Sequence, residues 1–287
     1  MTSRRLNNID VIKGILILIV IMHHVPDVTS DLQLFDSVKW LYDTQFIYTG
    51  FFMTTFFVLS GMVTNFKKDF NDFILSGIKG LVFPTITASV IFNLSYLHWN
   101  GSSFDIVQEL RHFVITGGAW FCAAMFLARI IYWIVFHYIP RIEIRFFVLF
   151  LISVFGAVSF VFSVPEPWSI WHAMSLTIFF EIGAILKNKN VSKKWMLISS
   201  AFYIFSIYIS CILNIEIPRI SMNSMYTYSQ ILPGIALSLF ASVSLLYWGG
   251  AFFELPILML CRQRIVAHIF KPPFFLKDLC NDDKSML

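Results

Sequence analysis

The residue types best suited to chemistry lie in one early stretch, Asp10-Val-Ile-Lys13-Gly14-Ile-Leu-Ile-Leu-Ile-Val-Ile-Met-His23-His24. Lys13 and His24 are eleven positions apart. A helix through them places the two side chains on one face, about three turns and roughly 16 Å apart. Asp10 lies three residues before Lys13 and can pair with it. Histidine takes a proton from a hydroxyl near neutral pH, and it can also carry an acyl group as a nucleophile. A fixed cation holds such a base, binds anionic ligand groups or steadies developing negative charge. His23 and His24 point about 100° apart, so at most one of them shares a cavity with Lys13. By spacing that one is His24. Charges in an apolar helix are costly and mark interior functional surfaces. The competing reading is a basic flank that snorkels beside an interfacial histidine.

A second constellation is Met53-Thr-Thr-Phe56-Phe57-Val58-Leu59-Ser60-Gly61. Gly61 lets another backbone approach, and Ser60 can hydrogen-bond a neighbouring helix. A packing face and a substrate contact are both open there. Glu181 and Arg129 lie within apolar segments. Each is expensive unless paired, and pairing with one another is one solution. His172 (beside Trp168 and Trp171) and His98 (beside Trp99) fit an interfacial aromatic belt. His112 and Arg111 read as solvated surface, and His137 reads as a helix-end contact.

The elements that must hold these residues are membrane helices. The chain has 287 residues, 57% hydrophobic and only 13% charged, against about 25% charged in soluble domains. Spans of about 20 apolar residues fall near 9–25, 46–65, 81–98, 118–138, 146–163, 172–187, 195–213 and 230–248. The fold class expected is all-α, a polytopic bundle of about eight transmembrane helices. Residues 26–45 form a polar connection, and Asn100-Gly101-Ser102-Ser103 signals a loop. With the N-terminus cytoplasmic, the inner segments carry Arg4, Arg5, Lys67, Lys68, Lys79, Arg141, Arg145, Lys187, Lys189, Lys193 and Lys194. The outer segments carry only Lys39, Arg111 and Arg219. That asymmetry sets the orientation and supports the span parity.

Arg4 and Arg5 precede an apolar run, but no small-residue cleavage site follows, so the first helix is expected to be retained. The four cysteines are scattered without C-x-x-C spacing, which gives no metal site or disulfide framework. No basic stripe is interleaved with polar surface, so no nucleic-acid partner is expected.

Asp10, Lys13, Gly14 and His24 resemble the opening signature of the membrane-bound acyltransferase-3 family. The Asp-x-x-Lys-Gly-Ile form is similar to its fucose 4-O-acetylase-like branch. Phe56-Phe-Val-Leu-Ser60-Gly61 matches the family's second-helix motif. Trp120-Phe121 with Ala124 and Phe126, Lys79-Gly-Leu-Val-Phe83-Pro84, and Phe179-Phe180-Glu181-Ile-Gly183 resemble later motifs in the same order. The similarity covers about residues 10–248.

The resemblance implies an O-acetyltransferase of the inner (cytoplasmic) membrane. It implies acetyl-CoA as acyl donor, no bound cofactor, and a sugar hydroxyl of a surface or lipid-linked polysaccharide as acceptor. His24 would be the base, with Lys13 and Asp10 completing the catalytic set. Phe57, Ser60, Gly61 and Glu181 would line the substrate tunnel, and Lys67, Lys68 and Lys79 would meet the donor phosphates. The chain departs from the pattern in several places. Ser76 and Gly77 stand where a second base is often seen before the third helix. Phe52 stands where the lysine branch often has histidine, and the family usually has about ten spans. The expected organisation is a membrane domain over 1–250 and a short basic cytoplasmic tail over 251–287. That tail reads as a natural short form or as the product of truncation or a frameshift. Two rivals follow: a glycan transporter or flippase lined by Lys13, Arg129 and Glu181, and a non-catalytic paralogue.

Overall fold

The computed structural model describes residues 3–31, 35–88, 90–91, 120–162, 164, 167–188, 193–213 and 228–253. The loop and amphipathic stretch expected over 99–117, including Arg111 and His112, lie outside these residues. So do His98, Trp99, Arg219 and the tail beyond 253. Among the described residues the architecture is all-helical. The helices are α1 (Ser3–Asp31), α2 (Phe35–Thr49), α3 (Phe52–Val63), α4 (Phe70–Gly77), α5 (Trp120–Tyr138), α6 (Ile142–Val161), α7 (Ile170–Asn188), α8 (Lys193–Leu213) and α9 (Tyr228–Phe253). A π-helical turn, Ile78–Val82, prolongs α4, and helical backbone continues over 83–88.

Four helices contain stretches long and apolar enough to cross a membrane: Ile9–Pro26, Trp120–Tyr138, Ile142–Ser159 and Ile170–Lys187. Three apolar helices are shorter: Phe52–Val63, Lys194–Ser210 and Pro233–Leu246. These helices make it a helical membrane protein, since a helix pairs most of its backbone polar groups within itself in an apolar layer.

Two of the helices that start earlier than expected take in a basic residue of interest. The third span, expected from 81, has helical backbone from Phe70, because the Asp69 side chain accepts a hydrogen bond from the Asn71 amide (3.3 Å) and caps it. The fifth, expected from 146, starts at Ile142, directly after Pro140 and Arg141. Both shifts take a basic residue out of a loop and into a helix: Lys79 in the first case and Arg145 in the second.

The core is centred on α7, which packs against α3, α5 and α6. Every residue from Ser175 to Gly183 is buried, the mark of a helix enclosed on all sides. The first helix, α1, packs at the edge against α2, α3 and α9. Hydroxyls tie α8 and α9 to the corner between α2 and α3. Tyr203 donates to the Ile47 carbonyl (2.6 Å), Ser238 to the Gly50 carbonyl (2.5 Å) and Thr55 to Ser242 Oγ (3.0 Å).

Candidate active site

The first helix is continuous through both groups that the sequence singles out. Lys13 Nζ lies 3.9 Å from Asp10 Oδ1, an ion pair on the open side of α1. The buried stripe is one residue away: Ile9, Ile12 and Leu16 are buried, Ile19 and Val20 are half-buried, and His23 ends the row. Ile12 and His23 are also eleven positions apart, so α1 carries two parallel stripes about 100° from each other. His24 is exposed on the Lys13 stripe. The half-buried His23 ring packs on Phe52 (5.5 Å between centroids) and Tyr48 (6.2 Å) and meets the His24 ring edge-on (5.3 Å). Gln45 Nε2 donates to the His23 carbonyl (3.0 Å). Phe52 is therefore an aromatic wall for His23.

The second motif forms a close helix crossing. A Cβ on Gly61 would overlap the Phe180 carbonyl, and one on Gly183 would overlap the Val58 carbonyl. These two glycines set the α3–α7 spacing. Phe57 is fully buried beside them, edge-on to Phe180 (5.6 Å) and Phe121 (5.8 Å). Ser60 is half-buried, and its carbonyl accepts the Thr64 amide that ends α3.

Glu181 is wholly buried, and its partner is Arg145, not Arg129. Arg145 Nε and Nη2 reach the two carboxylate oxygens, each at 2.9 Å. Tyr132 donates to Oε2 at 2.5 Å. The guanidinium also lies over the Phe136 ring (4.9 Å). This bidentate pair with a third donor neutralises the charge and satisfies both oxygens. Tyr132 and Arg145 escape a sequence reading, since nothing local names a partner 36 positions away. One signal is available: Arg145, Leu149, Ser153 and Gly156 recur at helical spacing, and all are buried.

Arg129 instead reaches across to α4. Its Nη2 donates to Ser76 Oγ (3.4 Å) and its guanidinium lies over Phe73 (5.0 Å). Ser76 thus faces a base carried by another helix. The lysines expected at the donor phosphates divide into two groups. Lys67 and Lys68 are exposed in the turn before α4, where Trp133 Nε1 donates to the Lys68 carbonyl (3.2 Å). Lys79 is exposed in the π turn, about 13 Å along the helix from Phe70 at the usual rise. Lys187 Nζ donates to the Thr64 carbonyl (3.2 Å), so α3 and α7 end together. His172, expected at an interface, is buried against Trp120 (4.9 Å). His137 contacts the Trp133 carbonyl at 2.9 Å.

The family model for an acyltransferase domain, acyltransferase-3, matches residues 6–267. The chain belongs to that family. The match takes in the first-helix constellation, the α3–α7 crossing and both intramembrane arginines, and it assigns acyltransferase activity in general. No curated protein and no solved structure matches the chain.

Proposed function

We propose that this acyltransferase-3 protein is an O-acetyltransferase of the inner membrane, with its N-terminus cytoplasmic, in the fucose 4-O-acetylase-like branch. It transfers acetyl from acetyl-CoA to a sugar hydroxyl of a surface or lipid-linked polysaccharide. His24 takes the hydroxyl proton as the sugar oxygen attacks the thioester carbonyl. The tetrahedral intermediate then collapses, the C–S bond breaks, and the CoA sulfur leaves with the proton that His24 returns.

One observation supports this reading above the others: within the acyltransferase domain, the Asp10–Lys13 ion pair and His24 share the open stripe of one unbroken helix. Their separation of roughly 16 Å exceeds the size of a single reacting centre. It suits an elongated donor, with Lys13 towards its charged end and His24 at its acyl end. The carrier reading loses Glu181, whose charge Arg145 already neutralises.

The test is His24→Ala with the host glycan's ester-linked acetate as readout. Acetylation falls by about 10²-fold or more, the usual weight of a general base. His23→Phe, which keeps the ring packing on Phe52 and Tyr48, leaves most activity. Acetylation unchanged in His24→Ala removes His24 from the mechanism.

A further inference from the structure

We propose that Arg129, with Lys79 about one turn beyond its contact point, receives the phosphates of the nucleotide donor. The inference rests on the acetyl-CoA reading and adds to it a residue that lies outside the motifs of the resemblance. Arg129 is the tenth of the nineteen residues of α5, so it stands about 13 Å from either helix end. A cation at such a depth is costly and normally pairs with an anion. Among the described residues no carboxylate reaches it. Its partners are neutral: the Ser76 hydroxyl at 3.4 Å and the Phe73 face. Its Nε is buried without a hydrogen-bond partner. Asp69 and Asp72 of the α4 region are both exposed, and neither forms an ion pair with it. Among the described residues the guanidinium is therefore oriented but not neutralised.

The surroundings hold it for a ligand. α4 begins beside Trp133, whose ring packs at a tilt against Phe70 (4.8 Å between centroids), and reaches Phe126 and Arg129 at Gly77. The two helices thus run antiparallel. A Cβ on Gly77 would stand 2.9 Å from the Phe126 ring, so a larger residue there would displace that ring. The π turn follows immediately, and π turns are frequent at functional sites. Within it Lys79 is exposed and Gly80 has open space around its Cβ position. Two cations on facing stretches of helix, with no acidic partner among the described residues, match a multivalent anion. The planar fork of arginine suits phosphate in particular. Lys67 and Lys68 lie in the turn just before the same helix and mark the approach from the basic end. Nucleotide and phospholipid headgroup both offer phosphate to such a fork, and the binding experiment separates the two sources.

The experiment measures binding of CoA and of pantetheine, which lacks the phosphates, to the purified full chain, with a melting curve for every variant. Arg129→Gln weakens CoA by about tenfold or more, in line with loss of a charge-assisted hydrogen bond, and leaves pantetheine within about twofold. Arg129→Lys recovers part of the CoA affinity, and Lys79→Gln loses several-fold. Equal loss for both ligands would indicate a structural role and overturn the proposal, as would unchanged CoA binding. Loss of a co-purifying anionic phospholipid from Arg129→Gln, with CoA binding intact, overturns the nucleotide assignment. Failure of the unmodified chain to bind CoA overturns the donor reading itself.

Discussion

Arg129 in α5 and Arg145 in α6 are both cations carried into an apolar helix bundle, and their surroundings treat them oppositely. Arg145 is buried and meets Glu181 through two 2.9 Å hydrogen bonds, with Tyr132 as a third donor to the same carboxylate. Arg129 is half-buried and meets a hydroxyl at 3.4 Å and an aromatic face. The first arrangement is closed, because its charge and hydrogen-bonding capacity are satisfied from within the chain. The second finds no acidic partner among the described residues and keeps its positive charge. The difference separates a cation that organises the bundle from one available to a ligand, although both look alike as isolated arginines in apolar sequence.

The contrast is broken most directly at Glu181. Glu181→Ala leaves Arg145 charged and unpartnered, which costs about 3–5 kcal/mol for a buried pair. The expected result is a large loss of monodisperse protein and a much lower melting temperature in detergent. Replacing both partners with apolar residues, Arg145→Met with Glu181→Leu, recovers most of that loss, since a buried pair and its apolar substitutes are often close in stability. If Glu181→Ala melts no earlier than Arg129→Gln, the two arginines do not differ in the way described.

A somewhat smaller effect is expected two residues further on. Gly183→Val places side-chain atoms where the Val58 carbonyl stands. Backbone cannot withdraw as a flexible side chain would, so α3 and α7 must separate, at a cost of about 1–3 kcal/mol. That separation also moves Glu181 relative to Arg145. Melting of Gly183→Val alone and combined with Arg145→Met and Glu181→Leu tests the coupling. The valine costs less once the pair is gone, because displaced groups with no charge to satisfy lose less.

How much of this is legible in sequence follows from what local spacing encodes. The Asp10–Lys13 pair and the shared stripe of Lys13 and His24 are helix periodicity, and the structure places them so. The partner of Glu181 depends on which helix faces α7 at that depth, which no spacing along the chain contains. An apolar-run reading also starts a helix where the apolar residues start. The polar first turns at Phe70 and Ile142 are missed that way, and with them the places of Lys79 and Arg145. Gly61 and Ser60 show the opposite limit: the motif is visible, yet only the position of Phe180 reveals that Gly61 serves the crossing.

The smallest expected effect sharpens the comparison most. Arg129→Gln removes a long hydrogen bond and a cation–π contact, the latter worth about 0.5–2 kcal/mol. It also removes an unneutralised charge from the middle of a helix, whose presence costs about 2.5–3.5 kcal/mol on insertion scales. The terms oppose one another and the relief is at least as large as the loss. The melting temperature of Arg129→Gln in the absence of ligand is therefore unchanged or slightly raised. With saturating CoA present, the unmodified chain gains stability by mass action, and Arg129→Gln gains less. A cation retained for folding gives the opposite order, with the variant melting earlier whether or not CoA is present. Melting curves with and without CoA thus decide whether Arg129 contributes to the fold, as Arg145 does, or to the ligand.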